Sequence, residues 1–207
     1  LSPRTKEQNL AIREERKKLI LQTAAKLFLQ RGTGMDIRDV AQAAQIGYGT
    51  VYHYYNNKTL LLHDVLENGF EQAEAAAAAL LADKQYQSPL AQLEHYLTLL
   101  PATWREHTSG YIVYKLAADQ FNCLDAETRL MYNRRFNDSL YGPLAAVIDN
   151  ASASGALSPG LKANKTANTL IGSLIGAYGI YIHHDQAAFD AEFTARLLLH
   201  GIKESTT

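Results

Sequence analysis

At 207 residues and 47% apolar content, the chain has enough hydrophobic side chains for a buried core in one large or two modest domains, which argues against general disorder. Its single cysteine, Cys123, excludes an internal disulfide and fits a reducing, cytoplasmic setting, and the longest apolar run, Leu170 to Ile182, falls short of the roughly 20 residues a bilayer demands. The net charge of −1 is unevenly spread: residues 1–60 carry ten Lys/Arg against five Asp/Glu, so a basic head precedes an acidic remainder, as suits a head that meets phosphates.

No segment alternates in the manner of a strand, and helical periodicity is nearly continuous, so the expected fold is all-α. Residues 1–12 are polar and basic and read as a loose arm with no signal-peptide pattern. A first helix is expected from Arg13 to Arg31, with Leu19, Ile20, Thr23, Ala24, Leu27 and Phe28 as its apolar face and Gly32 as its stop. Asp36 caps a second helix, with Asp39 in its first turn and Val40, Ala41 and Ala44 facing inward. The turn Ala44–Gly47 leads into a helix of only two turns, Tyr48 to Tyr54. Asn57 caps the next, which runs through Leu60, Leu61, Val65 and Leu66 into the alanine-rich stretch ending at Ala82.

Ser88-Pro89 starts a fifth helix, which Pro101 is expected to kink or end. Helices over Ser109–Gln120 and from Asp125 onward follow, the latter kinked at Gly142-Pro143. After a turn-rich break at Ser152–Gly160, two final helices are expected over Lys162–His184 and Ala187–Lys203. The organisation is an N-terminal three-helix helix-turn-helix domain over residues 1–57, basic arm included, and a C-terminal helical domain over residues 58–207.

Residues Asp36 to Lys58 carry the chemistry. Two short helices joined by a tight turn let the second lie in a major groove while the first crosses the backbone. Ala41 and Ala44 allow close approach, and Ile46 and Val51 pin the pair. Tyr48, Thr50, Tyr52, His53, Tyr54 and Tyr55 then crowd one short helix with hydroxyls that can donate to phosphates and with rings that can meet thymine methyls. Some of these rings must fill the three-helix core; Tyr55 and one of Tyr52 or Tyr54 are expected there. Tyr48, Thr50, His53 and Lys58 are read as DNA contacts, and Arg38 can reach a guanine edge or a phosphate.

Residues Arg13 to Leu66 resemble the N-terminal domain of the TetR (tetracycline-repressor) family of bacterial regulators. The likeness lies in Ala24-Ala25-Lys26-Leu27-Phe28, in Arg38-Asp39-Val40-Ala41, and above all in Gly49-Thr-Val-Tyr-His-Tyr-Tyr-Asn-Asn-Lys58. It implies base or phosphate contacts from Arg38, Tyr48, Thr50, Tyr52, His53 and Tyr54, and a phosphate contact from Lys58. The chain departs from the pattern in a shorter segment after Gly32, in Asp36-Ile37 where Thr or Ser is usual, and in Thr59 where Glu is common. Tyr48 occupies a variable position, so operator choice is specific to this chain.

A two-turn recognition helix reads few base pairs, so double-stranded DNA with a palindromic operator and a homodimer are the expected partners. The dimer surface is read from the last two helices, through Gly172, Ile175, Gly176 and Gly179 and through Phe193 and Leu197. Aromatic residues at helical spacing, Trp104, Tyr111, Tyr114, Phe121, Tyr132 and Phe136, are together read as the lining for a small, largely apolar effector, although any one such residue is more often plain core. The function expected is a ligand-released repressor; the alternatives are a helix-turn-helix protein that binds DNA without an effector and an enzyme using the same cavity. No phosphate loop, nucleophile elbow or metal-ligand spacing supports the enzyme, so no catalytic residue, metal or cofactor is assigned. His183-His184-Asp185 is the one compact titratable cluster, and Cys123 is expected to be a small buried residue.

Overall fold

The computed structural model describes residues 5–82, 86–182 and 188–202. These form ten α-helices and, among the described residues, no β-strand. The chain divides into two compact units, Leu1–Gly69 and Phe70–Thr207.

The first unit begins with α1, Lys6–Arg31, which is longer than the sequence suggested. Thr5 and Gln8 form a reciprocal capping box, the Gln8 amide bonding Thr5 Oγ1 at 3.2 Å, so the expected loose arm is helical from Lys6. Burial starts only at Ile20; Leu19, expected inside, is exposed, and Leu21 is buried instead. A single turn of 3₁₀ helix, Gly32–Gly34, follows, then α2, Ile37–Ala43, and α3, Tyr48–Tyr54. Asp36 caps α2 as expected, its carboxylate accepting from the Arg38 amide while Asp39 reaches back to the Asp36 amide. Val40, Ala41 and Val51 close the helix-turn-helix core. Asn57 bonds the Leu60 amide at 2.9 Å at the start of α4, Lys58–Leu80. The division between the units falls inside α4. Leu61, Leu62, Val65 and Leu66 are buried on its first turns, and Asp64 accepts from Tyr55 and pairs with Lys17 at 3.0 Å.

In the second unit, α5 spans Pro89–Glu106 behind its Ser88 cap. Pro101 neither ends nor delimits it: one lost backbone donor is outweighed by the buried face of Leu93, Tyr96, Leu97, Leu100 and Trp104. Helices α6, Thr108–Ala118, and α7, Ala126–Phe136, follow. The expected kink at Gly142-Pro143 is a wide π turn over Asn137–Tyr141, leading directly into α8, Gly142–Ala153. The Gly142 amide donates to the Asn137 carbonyl, and a Cβ on Gly142 would lie 3.2 Å from that oxygen, so the turn needs a small residue there. The last helices are α9, Ala163–Tyr181, and α10, Ala191–His200. Helix α5 packs on α6, α8, α9 and α10, which makes it the spine of this unit.

Candidate DNA-recognition surface

The turn before α3 is set by backbone geometry that the side chains do not advertise. Gln45 takes a left-handed conformation, φ 55°, which lets the Ile46 amide bond the Ala41 carbonyl at 3.0 Å and reverses the chain within four residues. Of the two expected pins Val51 is wholly buried and Ile46 half-buried, and Tyr55, expected in the core, is 3% exposed. The opposite face of α3 is left to solvent.

On that face Tyr48 and Tyr52 are 45% and 48% exposed, one turn apart, with ring centroids 5.7 Å apart. The Arg38 guanidinium lies 5.6 Å from the centre of the Tyr48 ring, so α2 and α3 present one continuous cationic and phenolic patch. His53 is exposed at the end of the same helix, edge-on to Tyr54 at 6.0 Å. Thr50 is half-buried beside Gly47. Of the pair left open between core and surface, Tyr54 is the half-buried one; its hydroxyl lies 3.5 Å from the Arg13 carbonyl on α1. Lys58 is exposed but tied, its ammonium donating to the Thr33 carbonyl at 2.9 Å. That bond uses one of three donors and leaves the ammonium facing solvent beside the patch.

Charge around this surface is ordered by short pairs. Arg31 bonds Asp39 at 2.8 Å and holds its carboxyl below the ordinary carboxylate range. Burial pushes the Asp64 carboxyl up, but Lys17 and the Tyr55 hydroxyl outweigh it and hold the group ionised. Asp39 and Asp64 are thus each paired with a cation within the unit, while Arg38 stands over the Tyr48 ring as the cation of the patch.

A phenol-bearing helix exposed beside an arginine of the preceding helix, on a two-helix turn, is the geometry of a groove reader. Residues 20–65 match the model for bacterial regulatory proteins of the tetR family. Over that segment, less than half of the chain, the sequence is similar to the family. Solved TetR-family structures resemble the chain over nearly its whole length. A transcriptional regulator of the family from Agrobacterium tumefaciens is 26% identical, with 92% of this chain and 99% of that one covered and a TM-score of 0.71. The ketosteroid transcriptional regulator KstR2 of Mycobacterium tuberculosis is 18% identical, with 92% and 96% covered and a TM-score of 0.72. AibR, solved in complex with isovaleryl coenzyme A and operator DNA, is 20% identical, with 88% and 97% covered and a TM-score of 0.69. The last two likenesses speak for the fold alone. No curated protein sequence matches the chain. The chain therefore combines a tetR-type helix-turn-helix segment over residues 20–65 with a helical C-terminal domain, the fold of solved TetR-family regulators.

That C-terminal domain brings the six expected effector-lining aromatics into two touching groups. Trp104, Tyr111 and Tyr114 share one with Tyr178, and Phe121 and Tyr132 share the other with Phe70; Phe136 joins Tyr114 edge-on at 5.4 Å. All six are buried. Neither of two surface clefts in the domain, each near 400 Å³, is lined by any of them. Gln120 and the buried Phe121 both hold a positive φ, 52° and 53°, a strained backbone for side chains of this size. The sequence gives no sign of it, because nothing in either residue marks a left-handed position.

The expected dimer residues lie outward on α9 and α10. Gly172, Gly176, Phe193 and Leu197 are exposed and Ile175 is half-buried, with Ile180 exposed beside them. Gly179 differs: a Cβ there would stand 3.0 Å from the Tyr111 hydroxyl, so its smallness already serves packing within the chain. Cys123, expected to be buried, is exposed; partial burial, with the Asp119 carboxylate adding to it, pushes its thiol up from the ordinary value. His183, His184 and Asp185 lie outside the described residues. Among the described residues no group of three His, Cys, Asp or Glu could hold a metal, and no helix is long and apolar enough to cross a membrane.

Proposed function

We propose that the chain is a ligand-responsive repressor that binds a palindromic operator as a homodimer and is released by a small, largely apolar effector. The carrying observation is the exposed patch of Arg38, Tyr48 and Tyr52 across α2 and α3, which has no packing role in the head. In this reading Tyr48, Thr50, Tyr52 and His53 meet base edges and phosphates, Arg38 reaches a guanine or a phosphate, and Tyr54 and Lys58 fix the helix on the backbone.

One two-turn helix reads too few bases for a genomic address, so a second copy on a two-fold axis is required. The outward strip of Gly172, Ile175, Gly176, Phe193 and Leu197, with Gly179 at its edge, supports a four-helix interface: Phe193 and Leu197 are 62% and 63% exposed, an unusual cost for a monomer. Trp104, Tyr111, Tyr114, Phe121, Tyr132 and Phe136 supply the effector site. Helix α4 is shared by both units, so a ligand that favours one arrangement of its C-terminal half shifts the head's population in proportion to its differential affinity.

The test is selection of operators from random duplexes with the full chain, followed by footprinting and salt titration. Two half-sites about one DNA turn apart, and an affinity that falls steeply with salt, are expected. The double variant F193E/L197E is expected to stay helical, run as a monomer and lose at least tenfold in operator affinity. Tight operator binding by that monomer, or affinity indifferent to salt, would overturn the proposal.

A further inference from the structure

The aromatic cluster in the C-terminal domain has an excess of hydrogen-bond donors. Trp104 is 2% exposed and Tyr178 1%, yet neither the indole Nε1–H nor the phenol hydroxyl has a hydrogen-bond partner among the described residues. Buried polar groups in folded proteins are nearly always paired, because an unpaired one keeps its full desolvation penalty. Here two sit side by side, their rings 5.4 Å apart.

Their neighbours do not relieve them. The Tyr96 and Tyr114 hydroxyls share a single bond of 3.1 Å, so one of their two protons is also left over. The Tyr111 hydroxyl is committed to the Ile175 carbonyl at 3.3 Å. Burial pushes Tyr96 and Tyr111 up to about 12 and raises Tyr178 as well, so these phenols stay protonated at any working pH. An indole N–H can only donate. The cluster thus holds unpaired protons, since none of its phenol oxygens accepts from Trp104 or Tyr178.

We propose that Trp104 and Tyr178 form the polar end of the effector site, and that the effector is a neutral carbonyl compound with an apolar body. The proposal rests on the sensor reading given above and adds the chemical class of the ligand. A carbonyl oxygen accepts two hydrogen bonds and brings no proton of its own, which complements an indole N–H and a phenol O–H. The rings around Trp104 are those of Tyr111, Tyr114 and Tyr178, walls suited to an apolar body. A carboxylate fits less well: among the described residues no cation is buried in the cluster, and Arg105, whose charge reaches Tyr178, is itself exposed, so an anion would shed its hydration with little return. Trp104 stands on α5 and Tyr178 on the inward face of α9, whose outward face carries the proposed dimer strip. Filling the site therefore acts directly on the interface helix.

The chain's only tryptophan makes the test direct, since the full-length protein gives a single indole N–H resonance. Acetophenone, ethylbenzene and benzoate are near-isosteres that differ in carrying a neutral acceptor, none, or an anion. Acetophenone is expected to move the indole resonance downfield and to bind more tightly than either of the others by calorimetry. In Y178F its advantage over ethylbenzene should shrink by roughly three- to tenfold, the worth of one hydrogen bond, while the ligand-free melting point does not fall. Equal binding of ketone and hydrocarbon, tighter binding of benzoate, an unmoved indole resonance, or no binding of any probe overturns the assignment. Operator release measured across a wider panel of apolar compounds keeps the two readings apart: release without carbonyl preference sinks the inference and leaves the sensor standing.

Discussion

Tyr52 and Tyr55 are three residues apart on and just after the same short helix, and the fold gives them opposite tasks. Tyr55 is buried and its hydroxyl donates to the Asp64 carboxylate at 2.9 Å, whereas Tyr52 is 48% exposed beside Tyr48. Removing each hydroxyl should therefore separate stability from binding. Y55F is expected to lower unfolding free energy by about 1–2 kcal/mol, the worth of a part-buried bond to a charged group, with operator affinity changed only through stability. Y52F should leave urea unfolding within about 0.5 kcal/mol of the parent and weaken operator binding instead. Urea titrations and binding curves on both variants check this, and the reverse pattern would mean that the recognition face is wrongly assigned. The phenols were legible in the sequence as a group. Tyr55 was read as core and is buried, but the choice between Tyr52 and Tyr54 was open, because helices this short allow several orientations until the partner helices are in place.

At the scale of an element, α9 carries two kinds of glycine. Gly176 has open space where a Cβ would be, while one on Gly179 would meet the Tyr111 hydroxyl at 3.0 Å. Alanine strengthens a helix over glycine by about 1 kcal/mol where nothing obstructs it. G176A should accordingly raise helix stability in the folded subunit but weaken dimerisation if the partner helix approaches there. G179A should destabilise the subunit by about 1 kcal/mol or more, by displacing Tyr111 from the Ile175 carbonyl. Dilution experiments by analytical ultracentrifugation, together with thermal melts, distinguish the two effects. A G176A protein that melts higher and dimerises unchanged would remove this strip from the interface. The sequence shows the glycines at helical spacing as one stripe. Only the packing of α6 against α9 splits them, because a Tyr on another helix reaches one and not the others.

For the molecule as a whole, acid sensitivity has a definite source. Glu74 on α4 takes a two-pronged bond from Arg135, at 2.7 and 2.9 Å, and a third from Ser139 at 2.8 Å. The Arg135 bond is the chief cause that holds its carboxyl below the ordinary 4.5, against the upward push of burial. A carboxyl lowered in the folded state binds protons less readily there than in the unfolded chain. Its contribution is present above about pH 4.5, the unfolded value, and is lost as pH falls through the folded one. With its side chain 30% exposed, the pair is worth about 1 kcal/mol. E74Q should therefore unfold at lower urea than the parent at pH 7, with the gap closing toward pH 3. A gap that persists or widens in acid would show that Glu74 acts by shape and not by charge.

The amino-acid sequence by itself determined the all-helical class, the capped start of α2, the two-turn α3 and the likeness of the head to TetR regulators, because capping, periodicity and the Gly49–Lys58 string are local in the chain. It misjudged Lys6–Ile12 as a loose arm, and Pro101 does not end its helix: a reciprocal cap at Thr5 and Gln8 orders the first turns, and a deeply buried helix face tolerates one missing donor. The tertiary structure alone decided the left-handed Gln45 and Phe121, the π turn before Gly142, and the pairing of Trp104 with Tyr178. Those features depend on residues from different helices meeting, and on which donors are left without partners once they do; neither quantity exists until the chain has folded.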